Sequence, residues 1–122
     1  MTADMPYSIP HKRELSQIER ALLEYLISRE ATERLSEIDN LKVVARCGCG
    51  ECPTVLFATS LEQEPQQLGK ELASYSGQNS EGIEVGVVLR ECRGEITELE
   101  AWSPHGPEIK TWPPLDRLVR YP

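Results

Sequence analysis

The sequence predicts an α+β fold, in which an N-terminal helical segment packs on a largely antiparallel four-stranded sheet. Apolar residues recur at helical spacing within residues 16–28, and four later segments alternate apolar and polar side chains as strands do. The chain has 122 residues, a length that suits one compact domain. We therefore expect an irregular arm over residues 1–13 and a single domain over residues 14–122.

The first helix is predicted to begin at a capping box. Ser16 precedes Glu19 by three residues, so each side chain can bond the backbone N–H of the other residue. Ile18 and Leu22 then follow at helical spacing, which indicates an amphipathic helix with one apolar face. A shorter helical segment is expected over residues 31–38.

Four strands are predicted after the helical segments. Apolar residues alternate with other side chains over residues 41–46, 54–59, 83–90 and 96–102. Arg93 and Gly94 predict a hairpin turn between the last two strands. The alternation slips between Ile96 and Leu99, which predicts a β-bulge there.

The segment between the second and third predicted strands is too long for a plain hairpin loop. Leu68, Leu72 and Tyr75 follow Pro65 at helical spacing, so a short helix is expected within residues 60–82. Residues 103–106 have the composition of a turn, with proline second and glycine fourth.

Charge is the main compositional bias. Asp and Glu number 20 against 13 Lys and Arg, giving a net charge of −7. Such a balance argues against binding to nucleic acid and to anionic membranes, which both need basic surface. Residues 1–10 show no signal-peptide core, and no apolar run approaches the roughly 18 residues that span a bilayer, so a cytoplasmic location is expected.

Three cysteines fall within one short segment. Cys47, Cys49 and Cys52 are separated by glycines and Glu51, and the glycines let the backbone fold back so that the sulfur atoms converge. A tetrahedral zinc site needs a fourth ligand. In a four-stranded antiparallel meander, the hairpin carrying Cys92 returns to the end of the sheet that holds this segment, so Cys92 is the candidate fourth ligand and His105 lies at the far end.

Two other interpretations of the cysteines stay open. Free cysteines pack as small apolar side chains, so the segment is also compatible with a tight connection whose thiols are structural. Paired or reactive thiols would instead indicate a disulfide or a redox function. The sequence thus predicts no cofactor as the leading expectation, with zinc as the candidate if the cluster binds one.

The cysteine segment carries a resemblance to a known family. Residues 43–50 read Val-Val-Ala-Arg-Cys-Gly-Cys-Gly and residues 52–55 read Cys-Pro-Thr-Val. Together with residues 86–89 and 94–104, they resemble a bacterial family of small uncharacterised proteins that carry an Arg-Cys-Gly-Cys-Gly-x-Cys-Pro motif after an N-terminal helix. The resemblance covers about residues 14–115, and it implies the fold without implying an activity.

The sequence offers no catalytic constellation. Its two histidines are His11, in the expected arm, and His105, in a turn where a polar residue is expected on conformational grounds. It contains neither a glycine-rich phosphate loop nor a nucleophile elbow. We therefore assign no catalytic residue and favour a non-enzymatic protein.

A protein-binding module is the leading functional prediction. Negative charge steers association with a basic partner, as in immunity proteins that neutralise basic nuclease toxins. Trp102, Trp112 and Tyr121 are the candidate anchors of the interface, with core packing as their alternative role. The two alternative functions are a small structural-zinc protein that uses the cysteine cluster and a thiol-redox or other enzymatic role.

Overall fold

The computed structural model of the chain describes residues 7–66, 69–103 and 108–121. These residues form a seven-stranded sheet in the order β1-β2-β3-β6-β5-β4-β7, and every neighbouring pair is antiparallel. In chain order the elements are β1 Ser8–Arg13, α1 Gln17–Glu30, a 3₁₀ segment Thr32–Asn40, β2 Lys42–Cys47, β3 Val55–Ala58, β4 Lys70–Gln78, β5 Glu84–Cys92, β6 Glu95–Trp102, a 3₁₀ turn Leu115–Arg117 and β7 Val119–Arg120.

The predicted mixture of helix and strand is confirmed, but the four-stranded sheet is wrong. The four expected strands correspond to β2, β3, β5 and β6, and the structure adds β1, β4 and β7. Strand β1 lies within residues 1–13, which were expected to form an irregular arm. That expectation came from the prolines of this segment, among them Pro10. A proline is compatible with an edge strand, since the missing N–H can face away from the neighbouring strand, and Pro10 lies opposite Ala45 of β2.

Strand β4 replaces the helix expected within residues 60–82. Ala73 and Tyr75 belong to the core, and a register shift between Glu71 and Ala73 interrupts the alternation that would have identified the strand. The resulting spacing of Leu72 and Tyr75 also suits a helix, which explains the error. Leu68, the other apolar residue of the expected helix, lies outside the described residues.

The start of α1 confirms the predicted capping box. The Glu19 N–H donates to Ser16 Oγ at 3.1 Å, and the Ser16 N–H donates to Glu19 Oε1 at 2.9 Å. Arg13 of β1 also donates to both oxygens of the buried Glu19 carboxylate, at 2.8 and 2.7 Å. The capping box therefore fastens the helix to the edge of the sheet.

The main core lies between the sheet and the helical segments. Leu22 and Leu26 of α1 pack with Phe57, Leu89 and Leu99 of the sheet, and all five side chains are almost completely buried. We call this side of the sheet the helical face. None of the helices among the described residues is both long and apolar enough to cross a membrane.

The predicted features of the β5–β6 hairpin are confirmed. Arg93 and Gly94 both adopt positive φ, at 54° and 82°, as a two-residue hairpin turn requires. The register shifts where Arg90 and Glu91 pair with Glu98 and Ile96, which leaves one extra residue on β6 as a bulge. The turn expected at residues 103–106 falls mostly on residues 104–107, which lie outside the described part of the chain.

Candidate metal centre

The three clustered cysteines lie on the turn that joins β2 to β3. Its base is closed by the Cys47 N–H, which donates to the Thr54 carbonyl at 3.2 Å. The Gly50 N–H donates back to the Cys47 carbonyl at 3.0 Å, and Gly50 adopts a φ of 75° that a side chain would disfavour. The N–H of Gly48 donates to the Tyr7 carbonyl at 2.9 Å, so the turn is also tied to the residue before β1.

The turn brings three sulfur atoms together. The Sγ atoms of Cys47, Cys49 and Cys52 all lie within 4.8 Å of one another. Sulfur ligands about 2.3 Å from a tetrahedral zinc ion are separated by roughly 3.8 Å, so the sulfur atoms need to close by about 1 Å at most. Cys49 is exposed and the other two are half-buried, which leaves the cluster accessible to a metal ion from solvent.

Backbone amides favour negative charge on the middle sulfur. The N–H groups of Glu51 and Cys52 point to Cys49 Sγ, at 3.4 and 3.3 Å. Burial by itself raises the pKa of Cys49, but the hydrogen bonds from these amides and from the neighbouring thiols outweigh it and lower the pKa to about 7. For Cys47 burial is the dominant cause, and it raises the pKa to about 12. At neutral pH the cluster therefore combines one readily ionised thiol with a protonated neighbour.

Cys92, the candidate fourth ligand, does not join the cluster. Thr54 at the base of the turn bonds Ala101 of β6 at 2.9 Å, and Ala101 pairs with Val87 of β5. Cys92 lies five residues further along β5, about 16 Å at about 3.3 Å per residue. The expectation assumed four strands, whereas the additional strand β4 reverses the direction of β5 and moves its hairpin to the opposite end of the sheet.

The other end of β6 reaches the same end of the sheet as the cysteines. Trp102 is its last residue, and Ser103 follows it. His105, expected to lie at the far end, is outside the described residues. The reversal of β5 by β4 reverses β6 as well, so the direction of the chain at residue 102 is opposite to the one that the sequence predicted.

A cleft of about 220 Å³ borders the cysteine cluster on the helical face. Cys52 and Trp112 line it together with His11 and Arg46. Burial and the nearby guanidinium groups of Arg13 and Arg46 lower the pKa of His11, so its imidazole is neutral at neutral pH. The cleft gives Cys52 a route to solvent that is separate from the exposed Cys49.

The three candidate anchors of a protein interface do not form one group. Trp102 and Tyr121 meet edge to face, with ring centroids 5.6 Å apart and an angle of 82° between the ring planes. Trp112 instead packs against the main core beside the cysteine cleft. The structure thus brings two of the three aromatic residues together and assigns the third to packing.

Sequence reasoning missed a polar pair, an exposed Tyr7 over a buried Glu98, on the face of the sheet opposite the helices. Tyr7 Oη donates to Glu98 Oε2 at 2.5 Å, while the buried Oε1 of Glu98 has no hydrogen-bond partner among the described residues. Burial is the main cause of a raised pKa for Glu98. The alternation of β6 placed Glu98 away from the core, but the sequence contained no signal that Tyr7 would cover it.

Comparison of the chain with protein-family models, with curated proteins and with solved structures yields no match. The resemblance to the bacterial family with the Arg-Cys-Gly-Cys-Gly-x-Cys-Pro motif therefore stays a prediction.

Proposed function

We propose that this chain is a small zinc-binding protein that holds the ion with the thiolates of Cys47, Cys49 and Cys52. The observation that carries the proposal is the convergence of the three sulfur atoms within 4.8 Å. They converge in a turn whose backbone is closed by its own hydrogen bonds, so the arrangement does not depend on a long flexible loop.

The chemistry of the ligands favours zinc. Thiolates are soft ligands, and zinc takes them readily in tetrahedral sites. The two amides that donate to Cys49 also balance part of the negative charge that three thiolates accumulate. Binding would displace the proton of Cys47, so we expect zinc affinity to increase with pH and binding to release protons.

The role of the ion would be structural. The turn joins β2 to β3, the second and third strands from the β1 edge, so a metal that cross-links it would hold two neighbouring strands at one end. The fourth position would be taken by water. Cys92 is not proposed for it, because that residue lies at the other end of the sheet.

Metal analysis of protein purified without chelators tests the proposal. We expect about one zinc ion per chain in the wild type and in Cys92→Ser, which serves as the matched control because Cys92 is remote from the turn. Cys49→Ser removes one of the three sulfur ligands, so its zinc affinity should fall at least about tenfold. Zinc content well below one per chain in the wild type, with no uptake on adding zinc, would refute the proposal.

A thiol-redox function is the second candidate, and the pKa of Cys49 favours it. An exposed thiol with a pKa of about 7 is about half ionised at neutral pH. Its thiolate would attack hydrogen peroxide and break the O–O bond, which gives a sulfenic acid and a hydroxide ion that takes up a proton from solvent to become water. The thiol of Cys52 or Cys47 would then displace water to form a disulfide.

Peroxide treatment followed by mass spectrometry distinguishes this second candidate from zinc binding. A redox function predicts a disulfide that includes Cys49 and forms at least about tenfold faster than oxidation of Cys92, which provides an internal reference. Similar oxidation rates at the two positions would exclude the redox function and leave the zinc proposal intact.

A further inference from the structure

The face of the sheet opposite the helices carries a second candidate site, which contains no cysteine. It is a cavity of about 450 Å³ between β4, β5 and β6. Val88 and Ser74 form its floor, and Trp102 and Tyr121 stand at one end of it. We call it the aromatic cavity.

A glycine makes the position of the tryptophan possible. Gly86 pairs with Trp102 across β5 and β6, and a Cβ atom added to Gly86 would lie 2.1 Å from the indole Nε1 of Trp102. The indole ring therefore rests directly on the backbone of β5. Tyr121 is held beside it, because its N–H donates to the Ser74 carbonyl at 2.9 Å and its ring meets Trp102 edge to face.

The charged groups of the aromatic cavity are not balanced. Arg90 donates to Glu100 at 3.1 and 2.9 Å and to the Gly69 carbonyl at 3.2 Å, so its guanidinium is already occupied. Glu71 also lines the cavity, where no hydrogen bond joins its carboxylate to another described residue, although its charge helps to raise the pKa of Arg90. The carboxylates of Glu71, Glu98 and Glu100 thus all act on the one guanidinium of Arg90. Glu98 is bonded to Tyr7 and Glu100 to Arg90, so the carboxylate of Glu71 is the one available to a ligand.

We propose that the aromatic cavity binds the side chain of an arginine on a basic protein partner. A guanidinium is planar, stacks on aromatic rings and matches a carboxylate, so it fits a site with Trp102, Tyr121 and Glu71. The partner is taken to be a protein because the chain carries a net charge of −7, which attracts a basic surface over distance. This proposal does not depend on zinc binding at the cysteines.

Tryptophan fluorescence tests the proposal directly. The chain has two tryptophans, so the variant Trp112→Phe leaves Trp102 as the only one. The probe is a capped peptide with a central arginine between two lysines, and the control is the same peptide with citrulline, the neutral isostere of arginine. We expect the arginine peptide to change the emission of Trp102 and to bind at least about fivefold more tightly than the citrulline peptide.

Variants separate the roles of the ring and of the carboxylate. Tyr121→Phe keeps the aromatic ring and should bind as the wild type does, whereas Tyr121→Leu should bind about two- to fivefold more weakly. Glu71→Gln should weaken binding by a similar factor, about two- to fivefold. Glu24→Gln, on an exposed part of α1, changes the net charge equally and should leave the affinity unchanged.

Several outcomes would overturn the inference. Equal affinity for the arginine and citrulline peptides would refute recognition of a guanidinium, and so would an unchanged Trp102 emission with both peptides. If N-acetyl-arginine amide binds as tightly as the peptide, the site recognises a small cationic molecule and the protein partner is refuted. Repeating the titration with a metal chelator present keeps these outcomes independent of the cysteine cluster.

Discussion

The contact between Gly86 and Trp102 allows a quantitative prediction for Gly86→Ala. A Cβ atom 2.1 Å from the indole ring cannot be accommodated, so the ring must leave the surface of β5. A tryptophan side chain buries about 150–250 Å² when it is enclosed, and Trp102 is half-buried, so about 80 Å² of apolar surface would return to water. At about 25 cal/mol per Å², Gly86→Ala should lower the free energy of unfolding by about 2 kcal/mol.

The effect of Gly86→Ala on the free energy of unfolding should have the opposite sign when the indole ring is absent. In a Trp102→Ala background no indole opposes the new methyl group, and alanine is favoured over glycine within a strand by about 0.5–1 kcal/mol. Gly86→Ala should therefore stabilise the Trp102→Ala protein slightly. The two substitutions should couple by about 2–3 kcal/mol, far above the value for independent sites.

Urea unfolding of the wild type, the two single variants and the double variant measures this coupling. The midpoints should shift while the slope of the free energy with urea stays constant, which indicates that the unfolded states are comparable. Additivity within about 0.5 kcal/mol would refute the reasoning, because it would mean that the indole ring does not rest on Gly86.

Three further predictions concern charged groups. Burial opposes ionisation of Glu19, but hydrogen bonds from Arg13 and from the helix start outweigh it and lower the pKa of Glu19. Glu19→Gln should therefore lower the free energy of unfolding by about 2 kcal/mol at pH 7, as measured in urea. This difference between variant and wild type should disappear as the pH falls through the lowered pKa. Burial raises the pKa of Glu98, so the charged form destabilises the folded protein; Glu98→Gln should raise the thermal midpoint at pH 8 more than at pH 4. Arg34 donates to Glu91 at 2.6 Å, and both side chains are 14% exposed. Arg34→Met should therefore lower the free energy of unfolding by about 2 kcal/mol in urea unfolding, because it leaves the carboxylate of Glu91 without this partner. Glu91→Gln should give no compensating gain in stability.

The local features of the chain were accessible from the sequence. The capping box at Ser16 and Glu19 and the hairpin turn at Arg93 and Gly94 depend on residues that are close in the chain, and both are confirmed. The convergence of the clustered cysteines is local in the same sense, because the segment 47–52 contains the glycines that fold it. Short-range steric and hydrogen-bonding rules are sufficient for such features.

The number of strands could not be predicted from the sequence, and the missing strand β4 changed the predicted position of Cys92. Strand β4 has a bulge near its start, and its alternation is interrupted where a sequence pattern would have to detect it. Missing one strand reverses the direction of every later strand in an antiparallel meander. The error therefore placed Cys92 at the cysteine end of the sheet, although each of the individual strand assignments for β5 and β6 was correct.

The pairing of side chains across the sheet was also inaccessible. Tyr7 reaches Glu98 over a separation of 91 residues, and Trp102 meets Tyr121 only because β7 is placed beside β4. Neither contact leaves a trace in the spacing of residues along the chain. Both depend on the order of the strands, which composition and periodicity do not specify.

The two outer strands determine how the sheet meets a second copy of itself. A long, regular edge strand offers a row of unpaired amides that another chain can extend, which leads to aggregation. Strand β1 carries Pro10 and an irregular register between Pro10 and Arg13, and β7 is only two residues long, with Arg120 bonded to Glu30 of α1. The β1 edge therefore discourages strand addition between molecules, whereas β7 pairs only with Tyr75 and Ser76 of the nine-residue strand β4. A second molecule would meet a broken edge at β1 and a largely open one along the start of β4.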